Sequence, residues 1–238
     1  MTYTKRADGR KFEETRPMSA QVGVIKRADG SAMFKIGKTI AYAAVYGPRA
    51  LHPVHMRTPQ EGLLRCNYNM MAFSGSGDRV RPGPSRRSKE INLVMTGALK
   101  PVLDLKEYPN AVVDVFVELL QTDAGTRCAG ITAAAMALAD AGLVMKDMVC
   151  AVSVGVVGDK VVVDLDKTEE DYEEGAVDIP IAMTIRDGRV TLLQLDGLLT
   201  PQQLKDALKK AHDACIQIHA VQTQALLDKY QEKDNGKH

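Results

Sequence analysis

The chain has 238 residues, which fits one large domain or two closely packed halves and is long enough to bury a hydrophobic core. Its composition, 45% hydrophobic and 26% charged, is that of an ordinary soluble globular protein, and no apolar run approaches the roughly 20 residues that span a bilayer. The net charge of +1 argues against a protein that binds nucleic acid through its overall charge. Any RNA site must therefore be a local cluster of arginines.

The N-terminus and the cysteines predict a cytoplasmic protein that makes no membrane contact. The N-terminal sequence MTYTKRADGRKFEET lacks the apolar segment of a signal peptide. The four cysteines lie far apart and form no CxxC pair, which indicates reduced thiols rather than a disulfide framework.

Short apolar runs separated by turn residues predict a chain of strands interrupted by helices. The predicted elements, in chain order, are strands at 18–26, 31–36, 39–47 and 62–73, a helix at 85–103, a strand at 111–121, an alanine-rich helix at 128–141, a hairpin of 148–156 with 160–166, a hairpin of 178–185 with 189–195, and a helix that starts at Thr200 and Pro201. This order predicts an α+β (mixed α/β) fold. We expect a single globular unit with two halves, about 15–145 and 149–215, and a polar C-terminal tail.

The sequence Gly125-Thr126-Arg127 stands at the start of the alanine-rich helix. Backbone N–H groups at a helix start are unpaired, and the helix dipole adds partial positive charge, so anions and above all phosphate bind there. Glycine permits a close approach of the backbone, threonine offers a hydroxyl, and arginine supplies a planar charged fork. The turn is a candidate phosphate site, and an ordinary loop into a core helix is the alternative.

A basic segment rich in Gly and Pro precedes the predicted 85–103 helix. Arg86 and Arg87 lie near the N-terminal end of that helix, and Arg79, Arg81 and Lys89 lie close by. Adjacent helical residues point about 100° apart, so both arginines reach one phosphate only from the first turn or from the loop. A solvated surface loop is the alternative.

Arg65 lies on the predicted strand 62–73, where alternation directs Leu64 and Cys66 to one face and Arg65 to the other. An arginine on a sheet face can follow a phosphodiester backbone. A surface ion pair is the alternative.

An acidic segment, EEDYEEGAVD, precedes the strand IPIAM and contains Asp171 and Asp178. Clustered carboxylates raise each other's proton affinity, so that one can stay protonated and act as an acid. They can also bind Mg²⁺, which prefers oxygen ligands and keeps several waters. A solvated acidic loop is the bland alternative.

Other site types find little support. His52 and His55 are spaced for a metal but have no Cys or carboxylate neighbours, so a surface loop is the better interpretation. The chain has no Walker phosphate loop, no dinucleotide fingerprint and no G-x-S-x-G turn.

Taken together, the motifs resemble the ribonuclease PH family of phosphate-dependent 3′→5′ exoribonucleases, and within it the catalytic ring subunit of the archaeal exosome. The segments that carry the resemblance are RADGR (6–10), DGSAMFKIGKT (29–39), VYGPR (45–49), LRCNYNMMAFS (64–74), PSRRSKEI (84–91), the Gly-Thr-Arg helix and EEDYEEGAVDIPIAM (169–183). They cover almost the whole chain in one order.

The resemblance implies roles for these residues. Inorganic phosphate, the co-substrate, would bind Gly125, Thr126 and Arg127. The RNA 3′ end would contact a second set of residues, which are Arg65, Arg86 and Arg87. Asp178, which precedes IPIAM, matches the second catalytic aspartate. Asp171 matches the first across an apparent one-residue insertion, and Glu170 and Tyr172 are alternatives for that position. Mg²⁺ is expected at Asp171 and Asp178.

The resemblance also implies partners: single-stranded RNA, a homologous non-catalytic subunit in a hetero-hexameric ring, and RNA-binding cap subunits. Two alternatives stay open. One is a homo-hexameric ribonuclease PH that trims transfer RNA, and the other is a non-catalytic ring subunit that only binds RNA. One chain does not distinguish a homo-oligomer from a hetero-oligomer.

Overall fold

A computed structural model describes residues 3–81, 83–172 and 175–235, with side chains up to residue 231. Within these residues the strands are Met18–Val22 (β1), Gly30–Ile36 (β2), Thr39–Ala50 (β3), Leu63–Met70 (β4), Ala111–Gln121 (β5), Val149–Val157 (β6), Lys160–Val163 (β7), Ala176–Thr184 (β8) and Val190–Leu193 (β9). The α-helices of the same ranges are Arg86–Leu99 (α1), Thr126–Asp140 (α2), Lys167–Glu170 (α3) and Pro201–Asn235 (α4). Short 3₁₀ turns occur at Val54–Met56, Lys100–Val102 and Leu105–Glu107.

The strands form two sheets, which confirms the predicted α+β fold. The first has the order β1-β2-β3-β5-β4, antiparallel except for the parallel pair β4 and β5. The second is antiparallel with the order β7-β6-β8-β9. Parallel strands need a long crossover connection, and the segment that contains α1 supplies it between β4 and β5.

Helix α2 lies between the two sheets and positions the site. It packs against β2 and β3 on one side and against β6 on the other. Its alanines are almost completely buried, and their small side chains let both sheets come close. A Cβ on Gly30, in the DGS sequence, would lie 2.3 Å from the Ala141 amide nitrogen at the end of α2, so only glycine permits this contact.

Helix α1 covers β4 and touches α2, while α4 packs on β6 and β1. Thr200 caps α4 as predicted, because its hydroxyl accepts a hydrogen bond from the Gln203 N–H. The four cysteines are free and buried, as expected. Within the described parts of the chain, no helix has the length and apolar character that a membrane crossing requires.

Several elements differ from their predictions. The strands predicted at 18–26 and 62–73 are shorter and end at Val22 and Met70. The helix predicted at 85–103 ends at Leu99, because Pro101 cannot continue it and the chain turns into a 3₁₀ segment. Helix α4 continues through the polar C-terminal segment to Asn235. Helix α3 was not predicted at all, although Asp166 caps it and exchanges hydrogen bonds with Glu169 in a capping box. The acidic segment therefore begins as a helix and not as a loop.

Candidate active site

Two adjoining cavities meet at the N-terminus of α2. The larger has a volume of about 380 Å³ and lies between β4, the basic Gly/Pro loop and the turn before α2. The smaller, about 250 Å³, lies between that turn, α3 and β8. The residues that line both cavities are Arg87, Gly125, Thr126, Lys167 and Glu170. The predicted phosphate turn thus forms the boundary between two pockets.

The turn itself has an unusual backbone. Ala124 and Gly125 both adopt left-handed conformations, with φ of 56° and 61°, and Thr126 begins the helix. Gly125 makes no side-chain cap, so the first turn of α2 lacks the usual capping oxygen. The buried Thr126 hydroxyl accepts a hydrogen bond from the Tyr68 hydroxyl at 2.9 Å. The sequence therefore places a fixed, uncapped helix start against the cavities.

Arg127 projects into the smaller cavity, which is the side that contains Asp178. Its Nη1 atom donates to Gln194 Oε1 at 2.6 Å, which fixes the guanidinium near the end of β9. Arg127 and Asp178 both line this cavity. All three residues of the predicted phosphate turn consequently line one cavity.

Asp178 lies on β8 opposite Gly155 of β6. Ser153 donates a short hydrogen bond to its Oδ1 atom. Burial raises the pKa of Asp178, and the charge of Asp196 raises it further, while Ser153, Arg127 and Arg87 act in the opposite direction. A carboxyl group with a raised pKa beside two arginines suits proton transfer to a substrate oxygen.

Helix α3 and its C-terminal cap residue Asp171 line the smaller cavity, to which the helix contributes Lys167 and Glu170. Burial and the charge of Asp178 raise the pKa of Glu170, while the Gly125 backbone contributes a hydrogen bond that lowers it. Asp171 is more exposed and forms an ion pair with Lys167 at 2.6 Å. Two carboxyl groups of α3 therefore line the same cavity as Asp178, and the identity of the first catalytic carboxylate stays a prediction.

The third alternative for that position, Tyr172, has a different environment. Its ring packs edge-on against Tyr3, with the ring centroids 5.4 Å apart, in a small apolar cluster with Leu165. Glu173 and Glu174, which belong to the same acidic segment, lie outside the described residues.

The arginine pair occupies the first turn of α1, as predicted. Ser85 caps the helix and Arg86 and Arg87 follow it. Arg87 lines both cavities, whereas Arg86 is not among the described residues that line them. Both side chains are exposed, and their RNA-binding role stays a prediction.

Arg65 lies apart from the two cavities. Burial along β4 alternates as expected, with Leu64 and Cys66 buried and Arg65 exposed. The Arg65 guanidinium makes two hydrogen bonds to Asp114 on β5, of 2.7 and 2.9 Å, and lines a separate shallow groove with Phe116. The surface ion pair is present, and the RNA-binding role of Arg65 stays a prediction.

Sequence reasoning missed several residues of the site. Lys167 lines both cavities, and Ser153, Gln194 and Asp196 contact or face the predicted groups. The capping box Asp166-Lys167-Thr168-Glu169 was the available signal for Lys167. The other three come from strands or strand ends whose pairing with β8 or proximity to Arg127 is not visible in the sequence.

The carboxyl groups of the site meet only part of the requirements of a metal site. Among the described residues, no group of three or more His, Cys, Asp or Glu side chains is arranged to hold a metal ion. Mg²⁺, however, is commonly held by one or two carboxylates together with substrate phosphates and waters. Asp178 and Asp171 both line the smaller cavity and meet that lesser requirement.

Comparisons with known proteins agree with this geometry. The pattern of the 3′ exoribonuclease family, domain 1, matches residues 14–144, and that of domain 2 matches residues 147–214. The chain therefore belongs to the 3′ exoribonuclease family.

Within that family the chain is similar to archaeal proteins named exosome complex component Rrp41. It is 49% identical to the protein of Methanopyrus kandleri over 94% of this chain and 93% of that one. It is 48% identical to the protein of Thermococcus kodakarensis over 95% and 90%.

Among solved structures, rice Rrp46 has the same fold, with a TM-score of 0.83 at 24% identity over 93% of this chain and 100% of that one. The Archaeoglobus fulgidus exosome with RNA bound to the active site matches with a TM-score of 0.76, also at 24% identity, over 90% of this chain and 91% of that one.

Proposed function

We propose that this chain is a phosphate-dependent 3′→5′ exoribonuclease and the catalytic subunit of an archaeal exosome ring. The observation that carries the proposal is the meeting of two cavities at the helix start of Gly125 and Thr126, where the smaller cavity brings arginines and carboxyl groups together: Arg87, Arg127, Glu170, Asp171 and Asp178. The similarity to archaeal proteins named as exosome components supports the ring assembly.

In the proposed reaction, inorganic phosphate binds Gly125, Thr126 and Arg127 and attacks the phosphorus of the terminal phosphodiester. The bond from that phosphorus to the 3′ oxygen of the preceding nucleotide breaks, and the terminal nucleotide leaves as a nucleoside diphosphate. Arg87 and Arg127 offset the negative charge that develops on the phosphoryl oxygens. Arg86 and Arg65 contact phosphates further along the RNA, which gives affinity without base selectivity.

Asp178 donates a proton to the leaving 3′ oxygen. Its raised pKa favours this role, because a protonated carboxyl is available at a higher pH than for an exposed aspartate. Asp171 is the proposed second carboxylate. In the alternative form of the mechanism, ionised Asp171 and Asp178 would hold Mg²⁺, which would supply Lewis-acid stabilisation in place of the proton from Asp178.

The proposed assembly is a hetero-hexameric ring in which this chain alternates with a homologous non-catalytic subunit. RNA-binding cap subunits cover one face of the ring, and single-stranded RNA reaches the active site by its 3′ end. We propose a cytoplasmic location for this assembly.

The test uses RNA that carries a labelled phosphate in its last phosphodiester. The pure chain, alone and with candidate ring partners, is incubated with this RNA with and without inorganic phosphate. We expect label in nucleoside diphosphates only when phosphate is present. Monophosphates released in phosphate-free buffer would identify a hydrolase. RNA binding without release of any nucleotide, in the presence of all partners, would identify a non-catalytic subunit.

A matched control separates the chemistry from contamination. The Asp178→Asn variant has nearly the same shape but no carboxyl proton to give, so its preparation should release nucleoside diphosphate at least about a hundredfold more slowly. Homo-oligomeric activity on transfer RNA ends, with no gain from any partner, would favour the transfer RNA-trimming alternative.

A further inference from the structure

The turn that presents the candidate phosphate site is held in a strained conformation. Ala124 has a φ of 56°, a left-handed conformation that is unfavourable for a residue with a side chain. Gly125 follows with a φ of 61°. A strained backbone of this kind persists only where the surrounding structure holds it in place. The contacts that hold it come from two motifs that do not line the cavities.

The first contact is Thr39, from the IGKT sequence at the start of β3. Its side chain is completely buried. The hydroxyl accepts a hydrogen bond from the Asp123 N–H at 3.0 Å and donates to the Ala124 carbonyl at 2.9 Å. A single hydroxyl therefore binds both the residue before the strained position and the strained residue itself.

The second contact is Arg16. Its Nη1 atom donates a short hydrogen bond to the Asp123 carbonyl. Its Nε and Nη2 atoms donate to the two oxygens of the buried Asp164 carboxylate, at 2.8 and 2.7 Å. Arg16 thus connects the turn, in the first half of the chain, to Asp164, which lies two residues before the cap of α3 in the second half.

We propose that Thr39 and Arg16 are positioning residues that keep the Ala124–Gly125 turn in its anion-binding conformation. This inference rests on the proposed function, because the turn would hold the attacking phosphate. Both side chains contact the turn through its Asp123 backbone, and neither lines either cavity. If the turn loses these contacts, a smaller fraction of molecules has the binding conformation, and the apparent phosphate affinity falls by that fraction.

The experiment compares Thr39→Val, which removes the hydroxyl and keeps the shape, with Thr39→Ser, which keeps the hydroxyl. The KM for inorganic phosphate, the KM for RNA and kcat are measured for the full chain with its ring partners. For Thr39→Val we expect the KM for phosphate to rise about tenfold, as for a turn that is correctly formed a tenth of the time, while the KM for RNA stays within about twofold. Thr39→Ser should keep both constants near those of the wild type.

Binding of inorganic phosphate to the full chain is also followed through the midpoint of thermal unfolding, which needs no activity. Phosphate should raise the midpoint of the wild type and of Thr39→Ser more than that of Thr39→Val. Should Thr39→Val fail to fold, Arg16→Lys serves instead, because lysine can keep the charge beside Asp164 but has no second arm for Asp123. The same selective loss of phosphate binding is expected.

A folded Thr39→Val with a wild-type KM for phosphate and a wild-type midpoint shift would overturn the inference. Equal rises in the KM for phosphate and for RNA would also overturn it, because they indicate general damage. A wild type that is stabilised by phosphate but does not degrade RNA would contradict the proposed function while leaving the positioning role measurable. A wild type that phosphate does not stabilise would overturn the positioning role.

Discussion

The two walls of the smaller cavity are built in different ways. The turn before α2 is made of backbone, and buried side chains such as Thr39, Arg16 and Tyr68 hold it. The wall formed by α3 is made of charged side chains, and its ion pair between Lys167 and Asp171 is exposed to solvent. A fixed backbone is suited to binding an anion that is the same in every catalytic cycle. Ionisable side chains are suited to proton transfer, because they can gain and lose a proton during the cycle.

Asp178, on β8, should show the largest effect, because it lines the smaller cavity and is the proposed general acid. The Asp178→Asn variant keeps a group that can accept the Ser153 hydrogen bond but loses the transferable proton. Loss of a general acid lowers the rate by about a hundred- to ten-thousandfold. RNA binding should remain, and single-turnover phosphorolysis measures the difference. Asp159→Asn, in the exposed β6–β7 turn, is the matched control and should keep full activity.

Arg127→Ala tests the backbone-built wall. The substitution removes a charged donor from the phosphate site, which costs roughly 2.7–4 kcal/mol, or about a hundred- to a thousandfold in rate. The fold should survive, since the guanidinium bonds only to Gln194 among the described side chains. The exposed Arg189→Ala is the control for general loss of charge. Near-normal turnover of Arg127→Ala at low phosphate would mean that phosphate binds elsewhere.

The sequence predicted the backbone-built wall better than the charged wall, because the residues of the backbone-built wall are neighbours in the chain. Gly125, Thr126 and Arg127 are consecutive at a helix start, so their proximity follows from their order in the chain. The order of strands and helices was also largely correct, because apolar periodicity is a local signal. The Ala124 conformation was not predictable, since alanine rarely adopts it and distant Thr39 and Arg16 hold it.

On the charged wall, the predicted residues depended on matching the acidic segment to the family pattern across an apparent one-residue insertion. The position of Asp178 in that pattern was predicted from the strand that follows it, and Asp178 lines the cavity. Asp171 and Glu170 both line that cavity, because α3 turns them towards it from adjacent positions. The short helix was missed because a four-residue element gives no periodicity, although its capping box was present in the sequence.

Separate substitutions distinguish the two carboxyl groups of α3. Asp171→Asn should lower kcat by about tenfold or more if it is the second catalytic carboxylate, a share of what general acid–base groups contribute. Its effect on stability should be small, because exposed ion pairs such as that with Lys167 contribute about 0–1 kcal/mol. Unchanged kcat in Asp171→Asn, together with a large loss in Glu170→Gln, would move the second carboxylate by one residue.

Glu170 should instead affect phosphate binding and its pH dependence. Its carboxylate interacts with the Gly125 backbone, where the phosphate is proposed to bind, so its negative charge opposes phosphate. Burial and the charge of Asp178 raise the pKa of Glu170, so this carboxyl group loses its proton at a higher pH than an exposed glutamate does. Phosphate binding should therefore weaken as pH rises through this pKa. In Glu170→Gln this dependence should disappear, and the KM for phosphate should fall a few-fold.

Arg65→Ala should give the smallest effect in the isolated chain, because Arg65 lies outside both walls and pairs with Asp114 at an exposed position. Loss of such a pair changes stability by about 0–1 kcal/mol. If Arg65 contacts RNA only once neighbouring subunits enclose the strand, the substitution should weaken RNA binding by the assembled ring and leave the isolated chain unchanged.

RNA affinity is measured for both forms, with sedimentation to establish the mass during the assay. Arg49→Ala, an exposed arginine paired with Asp29, is the matched control. An equal loss of affinity in both forms would instead place the RNA contact of Arg65 within a single subunit, and a fully active monomer would remove the need for the ring.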